Sequence, residues 1–200
     1  MSDATPTRSF VLEMKDERRA MHEGYVFLDE KCLLLAAEIL RELTRYGALR
    51  RDFIALHSTA IHALEAAIAR HGLHGLEIYP AASVAGASLK DTQRMVMGVR
   101  VQSVALDVGA VAELSAVDPS PEGDSCRRAF ASLLAPAASL AALAGNLERL
   151  SLEYQRSARR ARALQDVLLP ELDRSVYEIE SRLEELEQED AIWMRHRVKS

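Results

Sequence analysis

The sequence predicts a mainly α fold: a long antiparallel two-helix coiled coil formed by the N- and C-terminal helices, with a small β-hairpin lobe and a short helix in the middle. Three observations carry this. Both ends of the chain show apolar residues at alternating steps of three and four. The two patterned segments have nearly equal length. The stretch between them holds most of the glycine and proline punctuation and most of the β signal. A single elongated domain over residues 1–200 is therefore expected, with a long N-terminal helix over 10–70. A loop and β-hairpin lobe follow over 71–125, and a C-terminal helical region over 126–199.

Thr5-Pro6-Thr7-Arg8-Ser9 suits a helix lead-in with Thr or Ser as cap. From Phe10 to about Arg70 there is no proline, and the only glycines are Gly24 and Gly47. Tyr25, Leu28, Cys32, Leu35 and Ile39 form one seam, and Val26, Leu33, Ala36, Leu40 and Leu43 form a row beside it. Two adjacent rows make a stripe wider than one partner helix needs. The second row faces either a broader core of the same chain or another chain. Gly24 costs about 1 kcal/mol relative to Ala inside a helix. It marks either a close approach of two backbones or a tolerated residue. The pattern continues through Phe53, Leu56, Ala60, Leu64 and Ile68, and some sixty helical residues would span about 90 Å.

His71-Gly72-Leu73-His74-Gly75 is expected to end the first helix. Glu77-Ile78-Tyr79-Pro80 reads as a short strand, Ser83 to Asp91 as a loop, and Met95 to Val104 as partly alternating β structure. Asp118-Pro119-Ser120-Pro121-Glu122-Gly123-Asp124 is a break.

The C-terminal helix is expected from Ala137 to about His196. Its seam runs through Leu150, Tyr154, Ser157, Ala161, Leu164, Leu168, Leu172, Val176, Ile179, Leu183, Leu186, Asp190 and Trp193. From Leu164 to Val176 three consecutive steps are four, a longer local period that relaxes the supercoil. Pro170 lies in that interval and lacks an N–H, so a bend or change of twist is predicted there. A narrow seam on so long a helix needs a partner of equal length, and the N-terminal helix supplies it.

Net charge is −5 with 28% charged and 5% aromatic residues. This balance argues against nucleic acid as a partner and for helical rods over a thick core. The two cysteines, Cys32 and Cys126, have no metal or disulfide spacing, as in a reducing compartment. The most apolar run, Ala129 to Ala144, contains Pro136. It is shorter than the ~20 residues that span a bilayer, so it reads as soluble helix without membrane insertion. His57 and His62 point to different helix faces, and His71 and His74 have no acidic or Cys ligand nearby. Gly86-Ala87-Ser88 is not a phosphate loop. No catalytic, cofactor or metal site is expected, and the chain does not read as an enzyme.

Several short matches, in order along the chain, carry a resemblance. They are Pro6-Thr7-Arg8, Leu12-Glu13-Met14-Lys15, Glu23-Gly24-Tyr25 and Leu28-Asp29-Glu30-Lys31 at one end, and Met97-Gly98-Val99 in the middle. At the other end are Arg160-Ala161-Arg162-Ala163-Leu164-Gln165, Leu169-Pro170-Glu171-Leu172, Tyr177-Glu178-Ile179-Glu180 and Leu183-Glu184-Glu185, before the basic stretch Arg195 to Lys199. In these the chain resembles the D subunit, the central rotor shaft, of V-type and A-type rotary ATPases, across about two-thirds of its length. It departs from the family pattern at Arg162, where the family has Asn, at Gln165, where it has Glu, and over Gln102 to Val104, where a proline is usual. The resemblance implies a non-catalytic central-stalk protein, cytoplasmic and peripheral to the membrane. Such a protein transmits torque between ATP hydrolysis or synthesis in the head and ion translocation in the membrane ring. Implied partners are the catalytic A and B subunits of the head, the F subunit of the central stalk, and the funnel-like subunit above the ring. Shaft and partner-contact positions are then Gly24, Tyr25, Leu28, Leu35, Arg160, Leu164, Pro170, Leu172, Ile179 and Leu183. The alternative is a self-associating coiled-coil scaffold.

Overall fold

The computed structural model describes residues 7–77, 79–81, 86–109 and 115–198. Helix α1 spans Arg8–Glu77 and strands β1 and β2 span Ser88–Val96 and Val99–Asp107. Helix α2 spans Pro121–Ala163, and a π-helical turn, Leu164–Leu168, joins it to helix α3, Leu169–Val198. The long helices at both ends and the antiparallel hairpin between them are as the sequence predicts. The chain divides into two compact units, Met1–Leu34 with Tyr154–Ser200, and Leu35–Glu153.

Thr7 starts α1: its Oγ1 accepts the Phe10 N–H at 3.3 Å and its carbonyl accepts the Val11 N–H at 3.2 Å. Helical geometry breaks at Gly72 (φ 67°, ψ 171°), a conformation open to glycine, and a short helical piece resumes to Glu77. Glu77 is thus helical and Tyr79 and Pro80 form no strand, which corrects the strand expected there; Ile78 lies outside the described residues.

In the first unit the heptad row of α1 extends upstream of Tyr25, with Val11 buried and Met14, Met21, Tyr25 and Leu28 half-buried. Three ion pairs give the register: Arg8–Glu187 at 2.7 Å, Lys15–Glu180 at 2.5 Å, and Arg18–Asp173. Numbers rise on one side as they fall on the other, so the helices are antiparallel. The first two pairs lie one heptad apart on both helices. All six groups are exposed, so each pair contributes at most about 1 kcal/mol. Their role is alignment, and burial of the seam supplies most of the stability.

The π turn accounts for the three steps of four. Twelve α-helical residues from Leu164 would carry Val176 about 120° around the helix, off the seam; eleven would carry it about 20°. The widened turn absorbs the extra residue. The Leu169 N–H bonds the Leu164 carbonyl, five residues back. Val176 is accordingly buried, and Leu164, Leu172, Ile179 and Leu183 are half-buried. The predicted change of twist is therefore located in this turn, just before Pro170. The seam opens beyond it, with Leu186 at 47% and Trp193 at 70% exposure.

In the second unit, Met97 (φ 48°) and Gly98 (φ 84°) make a two-residue turn between Val96 and Val99. Positive φ at both positions is the twist a tight hairpin needs. The loop expected from Ser83 to Asp91 is corrected: Ser88 onward is strand, and residues 82–85 lie outside the described residues. Val99 and Val101 are buried with Leu35 and Leu150, and Ile39 and Val96 pack against them.

The long C-terminal helix starts earlier than the expected Ala137, and the helical region opens at Pro121 where 126 was expected. Ser120 caps α2: its Oγ accepts the Gly123 N–H at 3.0 Å and its carbonyl the Asp124 N–H at 3.0 Å. Pro121 then takes the first helical position, where a missing N–H costs nothing. Pro136 lies within α2, and the helix runs through it. Among the described residues the short helical piece between the long helices is the one beyond Gly72, ending at Glu77.

Candidate functional site

The surfaces and junctions of the helices make up the candidate site. In the first unit, a Cβ built on Gly24 would lie 3.9 Å from Leu164 Cδ1, an ordinary contact. Leu164 therefore sits over Gly24 without requiring glycine there. Leu183 lines a groove of about 370 Å³ with Arg8, Val11, Leu12, Glu180, Glu184 and Glu187. Tyr25, Leu28, Leu172 and Ile179 are half-buried, Pro170 is half-buried beside the π turn, and Arg160 is exposed. Leu35 is fully buried, in the second unit. Tyr25, Leu28, Leu35, Leu164, Leu172, Ile179 and Leu183 thus lie on the seams, Gly24 and Pro170 lie beside them, and Arg160 is on the exposed flank. The row beside the seam is open: Val26, Leu33, Leu40 and Leu43 are exposed, Leu33 at 67% and Leu40 at 64%, and only Ala36 is half-buried. Ile192, Trp193 and Met194 near the end of α3 are also exposed.

Two polar clusters in the second unit are absent from the sequence expectations. In the first, Glu38 and Glu42 of α1 are buried at 5% and 2% exposure. Arg41 and Arg94 bond Glu38; Arg45 reaches Glu42 at 3.0 Å and Arg94 reaches it at 3.4 Å. Two acids four residues apart, on the face that carries Leu35 and Ile39, were the available signal, since carboxylates on a buried face need partners. The second cluster joins the end of α1 to the start of α2. His71 Nε2 lies 2.5 Å from Ser120 Oγ, and the Tyr79 hydroxyl donates to Asp124 Oδ1 at 2.9 Å. Arg127 donates to the same oxygen at 2.7 Å and stands over the Tyr79 ring. The bonds from Tyr79 and then Arg127 hold the Asp124 carboxyl below its ordinary value of 3.8. A Cβ on Gly123 would come within 2.6 Å of the Tyr79 ring, so the ring's seat requires glycine.

Desolvation raises the pKa of both half-buried cysteine thiols above 9.0, at Cys32 with help from Asp29. Protonated thiols are poor nucleophiles. The α2–α3 helix contains a stretch long and apolar enough, by length and composition alone, to cross a membrane, more than the expected soluble helix suggested. Within α2, however, Leu133 is buried and the Ser139 hydroxyl donates to the Val104 carbonyl of the hairpin at 3.3 Å.

Residues 11–198 match the family described as the D subunit of ATP synthase. The chain belongs to this family. Among relatives, the V-type ATP synthase D subunit of Anaeromyxobacter sp. is 32% identical over 201 residues, covering 98% of this chain and 95% of that one. The A-type ATP synthase D subunit of Methanopyrus kandleri is 28% identical over 202 residues, covering 100% of this chain and 87% of that one. That of Pyrococcus horikoshii is 26% identical over 199 residues, covering 98% and 92%. Membership makes the chain a component of a V/A-type ATPase complex, with partners inside that complex and a place in ATP synthesis and ion transport.

Proposed function

We propose that the chain is the non-catalytic central shaft of its ATPase, transmitting torque between the catalytic head and ion translocation in the membrane ring. The observation that carries this reading is the register-fixed antiparallel pairing of the two chain ends, Arg8 with Glu187 and Lys15 with Glu180. A paired rod resists twisting as a single helix does not, because both strands must move together. In this reading the exposed apolar end of α3 enters the cavity of the head formed by the A and B subunits. The F subunit lies along the exposed apolar row of α1, the junction around Tyr79 and Ser120 faces the funnel-like subunit, and ATP chemistry belongs to the head. The chain is peripheral to the membrane on the cytoplasmic side. Gly24, Tyr25, Leu28, Leu35, Leu164, Pro170, Leu172, Ile179 and Leu183 serve the shaft, and Arg160 a partner contact. The experiment is affinity purification of the native chain with identification of what accompanies it. Catalytic ATPase subunits are expected. The exposed row also suits self-association, so a stable homodimer purified without those subunits would favour a scaffold instead.

A further inference from the structure

The outer edge of β2 is hydrogen-bonded by side chains of one helix face. Ser139 donates to the Val104 carbonyl at 3.3 Å, and Arg149 Nε donates to the Arg100 carbonyl at 3.1 Å. Between them Asn146, fully buried, treats Gln102 as a neighbouring strand would. Its Oδ1 accepts the Gln102 N–H at 2.8 Å and its Nδ2 donates to the Gln102 carbonyl at 2.7 Å. The amide's remaining capacity is filled as well: Nδ2 donates to Glu42 Oε2 at 3.2 Å, and Oδ1 accepts from Arg149 Nη2 at 2.7 Å. One side chain of α2 thus joins β2 to a buried carboxylate of α1.

The apolar part of this docking is small. It consists of Val96, Val99 and Val101 against Leu35, Ile39 and Leu150. Further along the hairpin the packing gives way to a cavity of about 370 Å³ whose lining includes Glu42, Arg45, Arg94, Gln102, Ser103 and Ser139. β1 is exposed along all but its last residue. The hairpin is therefore seated by a few valines, by the Arg94 pairs with Glu38 and Glu42, and by an edge of side-chain bonds centred on one saturated amide.

We propose that the hairpin is a detachable piece, latched to the two helices through Asn146, which opens and closes as one unit while the helices stay paired. Asn146 is a positioning residue in this device. An opened hairpin takes Arg94 with it and leaves the buried Glu42 facing solvent beside Arg45.

Hydrogen exchange on the full chain tests the latch. In the unaltered protein the Gln102 N–H, although on the outer edge, should exchange with the inner hairpin amides, because a two-stranded hairpin off its helices is marginal in water and its ladder melts once it undocks. Asn146→Asp supplies a pH readout that general loosening would not. The introduced carboxyl faces Glu42 from α1, Gln102 from β2 and Arg149 from α2, with Glu38, Arg41, Arg45 and Arg94 around Glu42. Protonated, it keeps an acceptor for the Gln102 N–H and one donor; ionised, it has no donor for the Gln102 carbonyl or for Glu42. Amides of Ser88–Asp107, corrected for intrinsic rates, should then exchange about tenfold faster near pH 7 than near pH 4, while those of α1 and α2 do not change. Arg149→Ala, which removes two donors at the edge, should speed Gln102 exchange to a lesser degree. Gln102 exchanging at the rate of a free edge amide in the unaltered chain would overturn the proposal. So would Asn146→Asp protection that does not vary with pH, or that is lost equally from helices and hairpin.

Discussion

Deleting Gln165 asks whether the π turn exists to keep the seam in phase. Leu164–Leu168 contains one residue more than an α-helical seam would hold, and it buries no side chain. Gln165 is exposed. If the turn absorbs a surplus residue, removing it converts the turn to α-helix and leaves Leu172, Val176, Ile179 and Leu183 where they are. The three ion pairs with α1 survive as well. Stability should then be unchanged or slightly higher. If the turn has no such role, the deletion rotates everything after it by about 100°. Four seam side chains, Val176 buried and the others half-buried, then turn toward water at about 1.5 kcal/mol each, about 6 kcal/mol together. That is comparable to the whole stability of a typical domain, about 5–15 kcal/mol. Urea unfolding followed by far-ultraviolet circular dichroism separates these outcomes. A midpoint at or above that of the unaltered chain supports the phase argument. An early transition with loss of part of the helical signal refutes it.

Other substitutions follow from the same geometry. Pro170→Ala should stabilise the chain, but by less than the ~3 kcal/mol of a mid-helix proline, because the widened turn already relieves the ring's clash with the preceding carbonyl; thermal unfolding measures it. If the joint at Pro170 matters, the same variant should change rotary coupling without impairing assembly. Gly24→Ala should raise stability by about 1 kcal/mol, since its Cβ meets Leu164 Cδ1 at an ordinary 3.9 Å; a loss in the urea midpoint would reveal a closer approach. Gly123→Ala should cost about 1–3 kcal/mol by displacing the Tyr79 ring. Tyr79→Phe removes the largest influence that lowers the Asp124 pKa. A depressed carboxylate contributes stability above its unfolded value and loses it as pH falls through the folded one. The destabilisation by Tyr79→Phe should therefore be constant above about pH 4 and shrink below it, as unfolding curves between pH 2 and 7 would record.

The paired helices were legible because heptad spacing survives in the bare sequence, and the three steps of four marked the π turn's position without naming its form. Met97-Gly98 between valines was visible as part of a β region, but the strands ran further because Ser88 to Asp91 is exposed and carries no apolar alternation. The start of α2 was masked by Pro121 and Gly123, which read as punctuation. One takes the first helical position and the other makes room for Tyr79. Glu38 and Glu42 on an apolar face hinted at the first polar cluster, but the partners in it were not legible. Glu42 and Asn146 stand 104 residues apart and Gln102 contributes its backbone, so no sequence pattern links them. Exposure of the second apolar row sets aside a broader core of the same chain over Leu33 and Leu40, since among the described residues nothing covers them.

The central claim is that this chain turns inside its complex. A bead attached to the chain, in a complex whose catalytic head is fixed to a surface, tests it directly. With ATP supplied, the bead should rotate in one direction, in discrete steps, at a rate that follows ATP concentration. A complex that hydrolyses ATP at its normal rate while the bead stays still would contradict the account.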